Sequence, residues 1–539
     1  LQKFDGVPSR GLPGFHGDHN CATLIRGIAV ASALHLKGPR AHSRRPATAE
    51  IRETVMLTRR RFATFLGATA LSGLGPAPSG LIAGAAAQSA AAPVPRGSYL
   101  IRNGSVVTVD PALGTLPRAD VLIRDGRIEG VGSDLAAAGA EVIDATDMIV
   151  MPGLIDTHYH MWSALGRNFT ADNGFGYFPA KNATSKLYGA DDFYNSVMLG
   201  LVELANAGIT TVHNWSHNTR TPAHADAELR AHRDAMLRAR YAYGHIDQMP
   251  RDQALDFTDI DRVKRDYFAS GTAFDGLVHF GVNLRGLSQS DERAYHQDMA
   301  AAMERGLPVA IHASQAPPNV VDAEDYERRG WLGPKLLICH YIPARDIDAE
   351  IMARTRTPLS FATLSEFRLG LAGDPRVALL RMRRAGVVVS LSFDATSIAP
   401  PNMFETMRFT WNMGIPWKGT PSEGLPAVGF REVIEMATLN GAKALGLGDV
   451  TGSLTVGKRA DVILIRTNDI NVAPMANIET TIVQSATPAN VDTVLVDGRI
   501  VKRQGKLVAY DVEKVVNAAK ASALRIRTSA GGILAPPAR

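Results

Sequence analysis

Cysteine is nearly missing from this chain of 539 residues: Cys21 and Cys339 are the only two. Cys21 lies in what reads as a leader, so Cys339 has no disulfide partner in a mature protein. Methionine is missing before Met56. That makes Met56 the expected start, with 1–55 an upstream translation or unstructured extension. A positive balance is missing from the body of the chain. Residues 1–87 hold 11 Lys and Arg against 4 Asp and Glu, which leaves 47 basic and 49 acidic residues for the rest. The formal charge of +5 therefore belongs to the leader and gives no reason to expect nucleic acid as a partner. What is present, 45% apolar and 21% charged residues, is the composition of a soluble globular protein. The length is too great for one ordinary domain and suits a large barrel with a satellite.

From Met56 the chain reads Thr58-Arg59-Arg60-x-Phe62, then a mildly apolar stretch to about Ala83, then Ala85-Ala86-Ala87. This resembles a twin-arginine export signal with a small-residue cleavage site. The resemblance implies a periplasmic or secreted protein that engages the twin-arginine export machinery already folded, with metal loaded in the cytoplasm. The apolar stretch is too short and too rich in glycine to remain as a spanning helix, so no stable membrane insertion is expected. Residues 56–87 form the expected signal and 88–96 an Ala/Pro linker.

Residues 97–150 alternate short apolar runs with turn signals, Asn103-Gly104 and Asp125-Gly126 among them, as hairpins do. The same grammar returns over 451–510. The two stretches read as one small β-sandwich built from both ends of the chain. Between them, over 151–450, strand-like and helix-like segments alternate. The expected strands are 151–157, 209–214, 239–245, 276–283, 307–311, 335–340, 357–361 and 387–393. Helices separate them, for instance 191–207, with Met198, Leu201, Val202, Leu204 and Ala205 on one face, and 292–305. Eight such units in roughly 290 residues predict an α/β fold, a (β/α)8 TIM barrel, whose chemistry sits at the C-terminal strand ends. Residues 511–539 read as a helix to about 525 and a loose tail.

Histidines and an aspartate stand at those ends. His158 and His160, spaced i, i+2, point to one side of the first strand. His312 ends the fifth, His340 the sixth and Asp394 the eighth. Each alone is more often a hydrogen-bonded core residue or a helix cap. Together, in this order, they read as a metal and catalytic constellation.

The run Pro152-Gly153-Leu154-Ile155-Asp156-Thr157-His158-x-His160 resembles the opening barrel strand of the amidohydrolase superfamily, closest to its cytosine deaminase and triazine hydrolase branch. The resemblance covers roughly residues 97–510. It implies His158, His160, His312 and Asp394 as ligands of one divalent metal ion; such donors suit zinc first and tolerate ferrous iron. Binuclear branches usually carry a bridging Lys at the end of strand four. Here that strand ends Phe280-Gly281-Val282-Asn283-Leu284-Arg285, so one ion is expected. The metal would activate water, Asp394 would accept its proton, and His340 would orient the water or bond the substrate. One departure stands out. The deaminase branch usually reads His-x-x-Glu after strand five, whereas this chain reads His312-Ala313-Ser314-Gln315. An amide donates a hydrogen bond but delivers no proton. That weakens the case for aminopyrimidine or purine deamination and favours an amide, lactam, carbamate, urea or activated heteroaromatic carbon.

Around the site, Met161 to about Gly189 carries Trp162, Phe169, Phe175, Tyr177, Phe178 and Tyr188. These suggest a flat or apolar substrate, or else a mini-core of their own. Gly174-x-Gly176 would let the segment move as a lid. Trp162, Trp215, His217 and Arg285 are candidate substrate-binding residues. Arg285 reads equally as a structural ion pair. Arg368-Leu369-Gly370 and Met436 to Gly446 resemble family scaffold elements. The reading is an exported mononuclear metal hydrolase that cleaves a C–N bond of a small cyclic or aromatic molecule. The alternatives are an aminoheterocycle deaminase or chlorohydrolase of the same family and, less favoured, a non-catalytic barrel scaffold. Relatives are often dimers or larger, so resemblance alone suggests a homo-oligomer.

Overall fold

The computed structural model describes residues 94–137, 139–169, 176–313, 321–369 and 373–532. All the described residues belong to one unit, Ala86–Arg539. The expected export signal, Phe175, Gly174, Gln315 and Gly370 lie outside the described residues.

Eight parallel strands form one sheet in chain order: β1 (Leu154–Tyr159), β2 (Ile209–Ser216), β3 (Arg238–Tyr243), β4 (Val278–Leu284), β5 (Val309–His312), β6 (Leu336–Cys339), β7 (Leu359–Phe361) and β8 (Val389–Leu391). A parallel bridge between Tyr159 and Asp394 brings the last strand back to the first and nearly closes a (β/α)8 barrel. Runs such as Ile209-Thr210-Thr211-Val212 are buried on both faces, as parallel strands under helices are. The intervening helices start on side chains suited to it. Asp291 Oδ1 accepts the Ala294 N–H at 2.7 Å at the head of Glu292–Glu304. Asp374 caps Pro375–Ala385, which Gly386 ends at φ 88°. In Ala190–Asn206 the inward face is Phe193, Val197, Leu201 and Leu204, and Met198 is only half-buried. The inward stripe thus lies one position away from the expected one at its N-terminal end.

The N- and C-terminal segments meet in a separate nine-stranded sheet. Its centre is Met148–Pro152, which pairs in parallel with Tyr99–Val107 and antiparallel with Val462–Arg466. Met151 and Pro152 therefore belong to this sheet and not to the first barrel strand as expected. The chain crosses from sheet to barrel at Gly153, where an added Cβ would fall 2.1 Å from Thr210 Oγ1. A second expectation changes too. Asn103-Gly104 is a bulge inside Tyr99–Val107 and not a hairpin turn. Asn103 takes φ 65° there, and its N–H is satisfied by Asp120 Oδ1 at 3.0 Å. Asp125-Gly126 and Asp497-Gly498 are the hairpin turns, with φ of 47° and 74° and of 55° and 73°.

Sheet and barrel are joined by a buried ion pair. Arg238 Nε of β3 donates to Asp461 Oδ2 at 2.6 Å, and Nη2 donates to Oδ1 at 3.1 Å. The helix Val512–Ser529 runs beyond the expected end near 525. It lies on Ala190–Asn206, where Asn195 Nδ2 donates to Ser522 Oγ at 3.0 Å. Among the described residues no helix is long and apolar enough to cross a membrane.

Candidate active site

The C-terminal strand ends converge. Asp394 follows β8 with φ 71°, a conformation that a non-glycine residue holds only when its surroundings demand it. The demand comes from β1: Asp394 N–H donates to His158 O at 3.1 Å, and Asp394 O accepts from His160 N–H at 2.9 Å. This clamp aims the carboxylate at both imidazoles. Asp394 Oδ1 stands 3.3 Å from His158 Nε2 and 3.1 Å from His160 Nε2. His312, the last residue of β5, puts its Nε2 3.2 Å from His158 Nε2. Ser365 Oγ donates to the other carboxylate oxygen, Asp394 Oδ2, at 2.6 Å.

This donor set fits a divalent ion. Four ligands each about 2.0–2.1 Å from a shared tetrahedral ion stand about 3.3 Å apart. Ligand atoms of His158, His160 and Asp394 all lie within 4.8 Å of one another, as do those of His158, His312 and His340. Burial pushes His158 down to about 3, against the pull of Asp394, and pushes His312 well below the ordinary histidine range. Neutral imidazoles crowded nitrogen to nitrogen offer more lone pairs than protons, the balance that a cation relieves. Burial opposes charge on Asp394, yet the neighbouring His158 and His160 hold its carboxyl well below the usual carboxylate range.

His340 follows β6, also left-handed at φ 76°, with its N–H bonded to Ser360 O at 3.0 Å. Its Nδ1 lies 2.8 Å from Glu366 Oε1. Burial works against a charged His340, but Glu366 and then Asp394 hold its pKa up at about 9. Glu366, in the helix Thr363–Leu369, escapes sequence reasoning because it sits past the strand end among residues that read as scaffold.

A cavity of about 510 Å3 opens onto these groups, lined by His160, Trp215, His217, His312, His340 and Asp394 among others. Trp215 packs on His312 with ring centroids 4.1 Å apart. Arg285 reaches the cavity, but its Nη atoms are taken up by Asp298 Oδ2 at 3.2 Å and by the carbonyls of Pro250 and Gln253. Trp162 is not among the cavity-lining residues. It is 1% exposed and donates from Nε1 to His217 Nδ1 at 2.9 Å. The aromatic segment divides accordingly. Trp162, Phe169 and Tyr188 build a mini-core with Phe193 and the C-terminal helix, while Tyr177 and Phe178 line the cavity. Lys181, His245 and Asp247 also line it, and the sequence reading missed all three. His245 and Asp247 were within reach of the strand-end rule, since both closely follow β3.

The pattern of the Amidohydrolase family matches residues 149–501 of this chain. The chain belongs to the amidohydrolase family. This amidohydrolase is 29% identical over 438 residues to a 5'-deoxyadenosine deaminase of Methanosarcina acetivorans, covering 79% of this chain and 97% of the relative. It is 31% identical over 448 residues to a 5-methylthioadenosine/S-adenosylhomocysteine deaminase of Desulforudis audaxviator, covering 79% and 98%. Among solved structures it resembles a zinc-bound adenosine deaminase from Xanthomonas campestris, with TM-score 0.67, 20% identity and coverage of 81% of this chain and 100% of that one. It also resembles atrazine chlorohydrolase from Arthrobacter aurescens complexed with zinc, with TM-score 0.67, 19% identity and coverage of 79% and 100%. This amidohydrolase is a metal-dependent hydrolase that acts on carbon–nitrogen bonds of a small-molecule substrate.

Proposed function

We propose that this amidohydrolase cleaves an amide, lactam, carbamate or urea C–N bond in a small cyclic or aromatic molecule. His158, His160, His312 and Asp394 hold one divalent ion, zinc in preference to iron. The observation that carries the reading is a run of four donor atoms, His312 Nε2 to His158 Nε2 to Asp394 Oδ1 to His160 Nε2, with successive spacings of 3.2, 3.3 and 3.1 Å. A single ion is supported at β4, which ends without a lysine and whose Arg285 is already engaged. When bound, the ion supplies Lewis-acid activation of water near neutral pH.

The chain's own groups do the rest. Asp394 takes a proton from the attacking water and passes it to the leaving nitrogen as the C–N bond breaks. Ser365 keeps the carboxylate turned to both tasks. His340, held charged by Glu366, donates a hydrogen bond to the oxygen that gains negative charge. Trp215 offers a flat wall beside His312, and Gln315 orients the substrate without delivering a proton. The test is a hydrolysis screen over amides, lactams, carbamates and aminoheterocycles with zinc-loaded and chelator-treated protein. Turnover of the first three classes only when zinc is present is expected; none in any class refutes the reading.

A second reading, aminoheterocycle deamination, is favoured by the deaminase names of the curated relatives. Gln315→Glu separates the two. A large gain in ammonia release supports a deaminase, and no gain argues against it.

We further propose that residues 56–87 direct twin-arginine export to the periplasm or beyond. A fluorescent reporter fused behind them is expected to leave the cytoplasm, and to stay there once Arg59 and Arg60 are both changed to Lys.

A further inference from the structure

Three buried side chains at the edge of the cavity, Trp162, His217 and His160, determine where protons sit. The indole N–H of Trp162 can only donate. Its Nε1 is 2.9 Å from His217 Nδ1, so that nitrogen carries a lone pair, and the proton of a neutral His217 is on Nε2. That Nε2 faces Asp247 Oδ1 across 3.9 Å, and the same oxygen receives the Lys181 ammonium. His160 Nδ1 stands 3.1 Å from the same His217 Nδ1. Two lone pairs at that distance repel, so His160 Nδ1 carries the proton and shares the His217 Nδ1 acceptor with the shorter Trp162 bond. A neutral His160 with its proton on Nδ1 has a lone pair on Nε2, the atom that faces Asp394 Oδ1 at 3.1 Å.

We propose that Trp162 and His217 are positioning residues that hold His160 in the one tautomer able to bind metal through Nε2. The inference rests on the reading of His160 as a ligand. It moves both residues from substrate binding, expected from the sequence, to preparation of the metal centre. His217 still reaches the cavity and can do both. Without the Trp162 donor, His217 can place a proton on Nδ1 and accept none from His160. His160 is then free to put its own proton on Nε2, where it blocks coordination.

The experiment measures zinc affinity by chelator competition on the full chain, for wild type, Trp162→Phe, His217→Leu, His217→Gln and His160→Ala. Trp162→Phe and His217→Leu are expected to bind zinc about 10- to 100-fold more weakly. In His217→Gln the amide oxygen can accept both N–H groups, so affinity is expected to stay within about threefold of wild type. A merely structural role does not distinguish Gln from Leu in this way. If His217→Leu fails to fold, the contrast between Trp162→Phe and His217→Gln carries the test. Trp162→Phe at wild-type affinity, or His217→Gln weakened as much as Trp162→Phe, overturns the proposal while zinc binding by wild type leaves the ligand reading intact. If wild type takes up no zinc, or His160→Ala binds it as tightly as wild type, the ligand reading itself fails, and this inference with it.

Discussion

His340 Nδ1 and Glu366 Oε1 stand 2.8 Å apart, and both side chains are buried. A histidine at a left-handed φ is held in place on two sides, by Ser360 through its backbone and by Glu366 through its ring. The pair gives the cavity a positive hydrogen-bond donor opposite the Asp394 carboxylate.

Replacing Glu366 with Gln removes the charge that keeps His340 protonated. Turnover at pH 7.5 is expected to fall by about 10²-fold or more, since a general acid or charged donor supplies that order of rate. The metal-free protein gives an independent reading. Its His340 pKa is raised from 6.5 to about 9, so the stabilisation is complete below 6.5 and is lost as pH rises through 9. Urea unfolding of chelator-treated wild type should lose roughly 3 kcal/mol between pH 6.5 and 9.5 from this group. Glu366→Gln should lack that loss, and parallel curves for the two proteins would refute the pair's role.

Acid should weaken the protein through its neutral histidines. His158, His232 and His245 are each pushed down to about 3, chiefly by burial. The unfolded chain binds protons at these residues below 6.5 and the folded chain does not. The stability they permit is therefore full above 6.5 and drains as pH falls toward 3. By pH 5 each should cost roughly 2 kcal/mol, seen as a falling denaturant midpoint in metal-free protein. Zinc should restore part of the loss, because it binds only the folded centre. A midpoint that is flat from pH 7 to pH 5 contradicts this.

Asp394→Asn keeps the shape and removes the charge and the proton acceptor. A loss of about 10³-fold in kcat/KM is expected with zinc content measured alongside. Ser365→Ala leaves the carboxylate but frees Oδ2, and about tenfold is expected there. Equal losses in the two variants would show that Asp394 does no chemistry beyond what its Ser365 contact supports.

Asp461→Ala removes the two-point partner of the Arg238 guanidinium, 1% exposed in the seam between sheet and barrel, and leaves it Asp497 Oδ1 at 3.5 Å and the Gly276 carbonyl at 3.2 Å. Removing one partner of such a pair costs about 3–5 kcal/mol. Urea unfolding should show that loss. An Arg238→Leu, Asp461→Leu double variant should recover much of it, whereas a double variant as unstable as the single one would locate the defect in packing.

Much of the site was legible because strand ends in a barrel are regular. An i, i+2 histidine pair must share a side, and apolar runs ending in His312, His340 and Asp394 must reach one face. Strand limits were less legible. Met151 and Pro152 continue the apolar run into β1, and nothing local says that Gly153 lets the chain leave one sheet for another. Asn103-Gly104 reads as a turn because turns and bulges both use a left-handed residue; its partner Asp120 decides between them. Gln315 and the residues of the expected signal lie outside the described residues, so their readings stay with the experiments above.

By itself the sequence determined the α/β alternation, the barrel and the residue types that gather at its mouth, because periodicity and strand-end position are local properties of a chain. Only the tertiary structure decided which side chains serve which. Glu366 reaches His340 from the helix that follows the next strand, and Trp162 turns away from the cavity to donate to His217. Both relationships depend on distances between strands that no local pattern encodes.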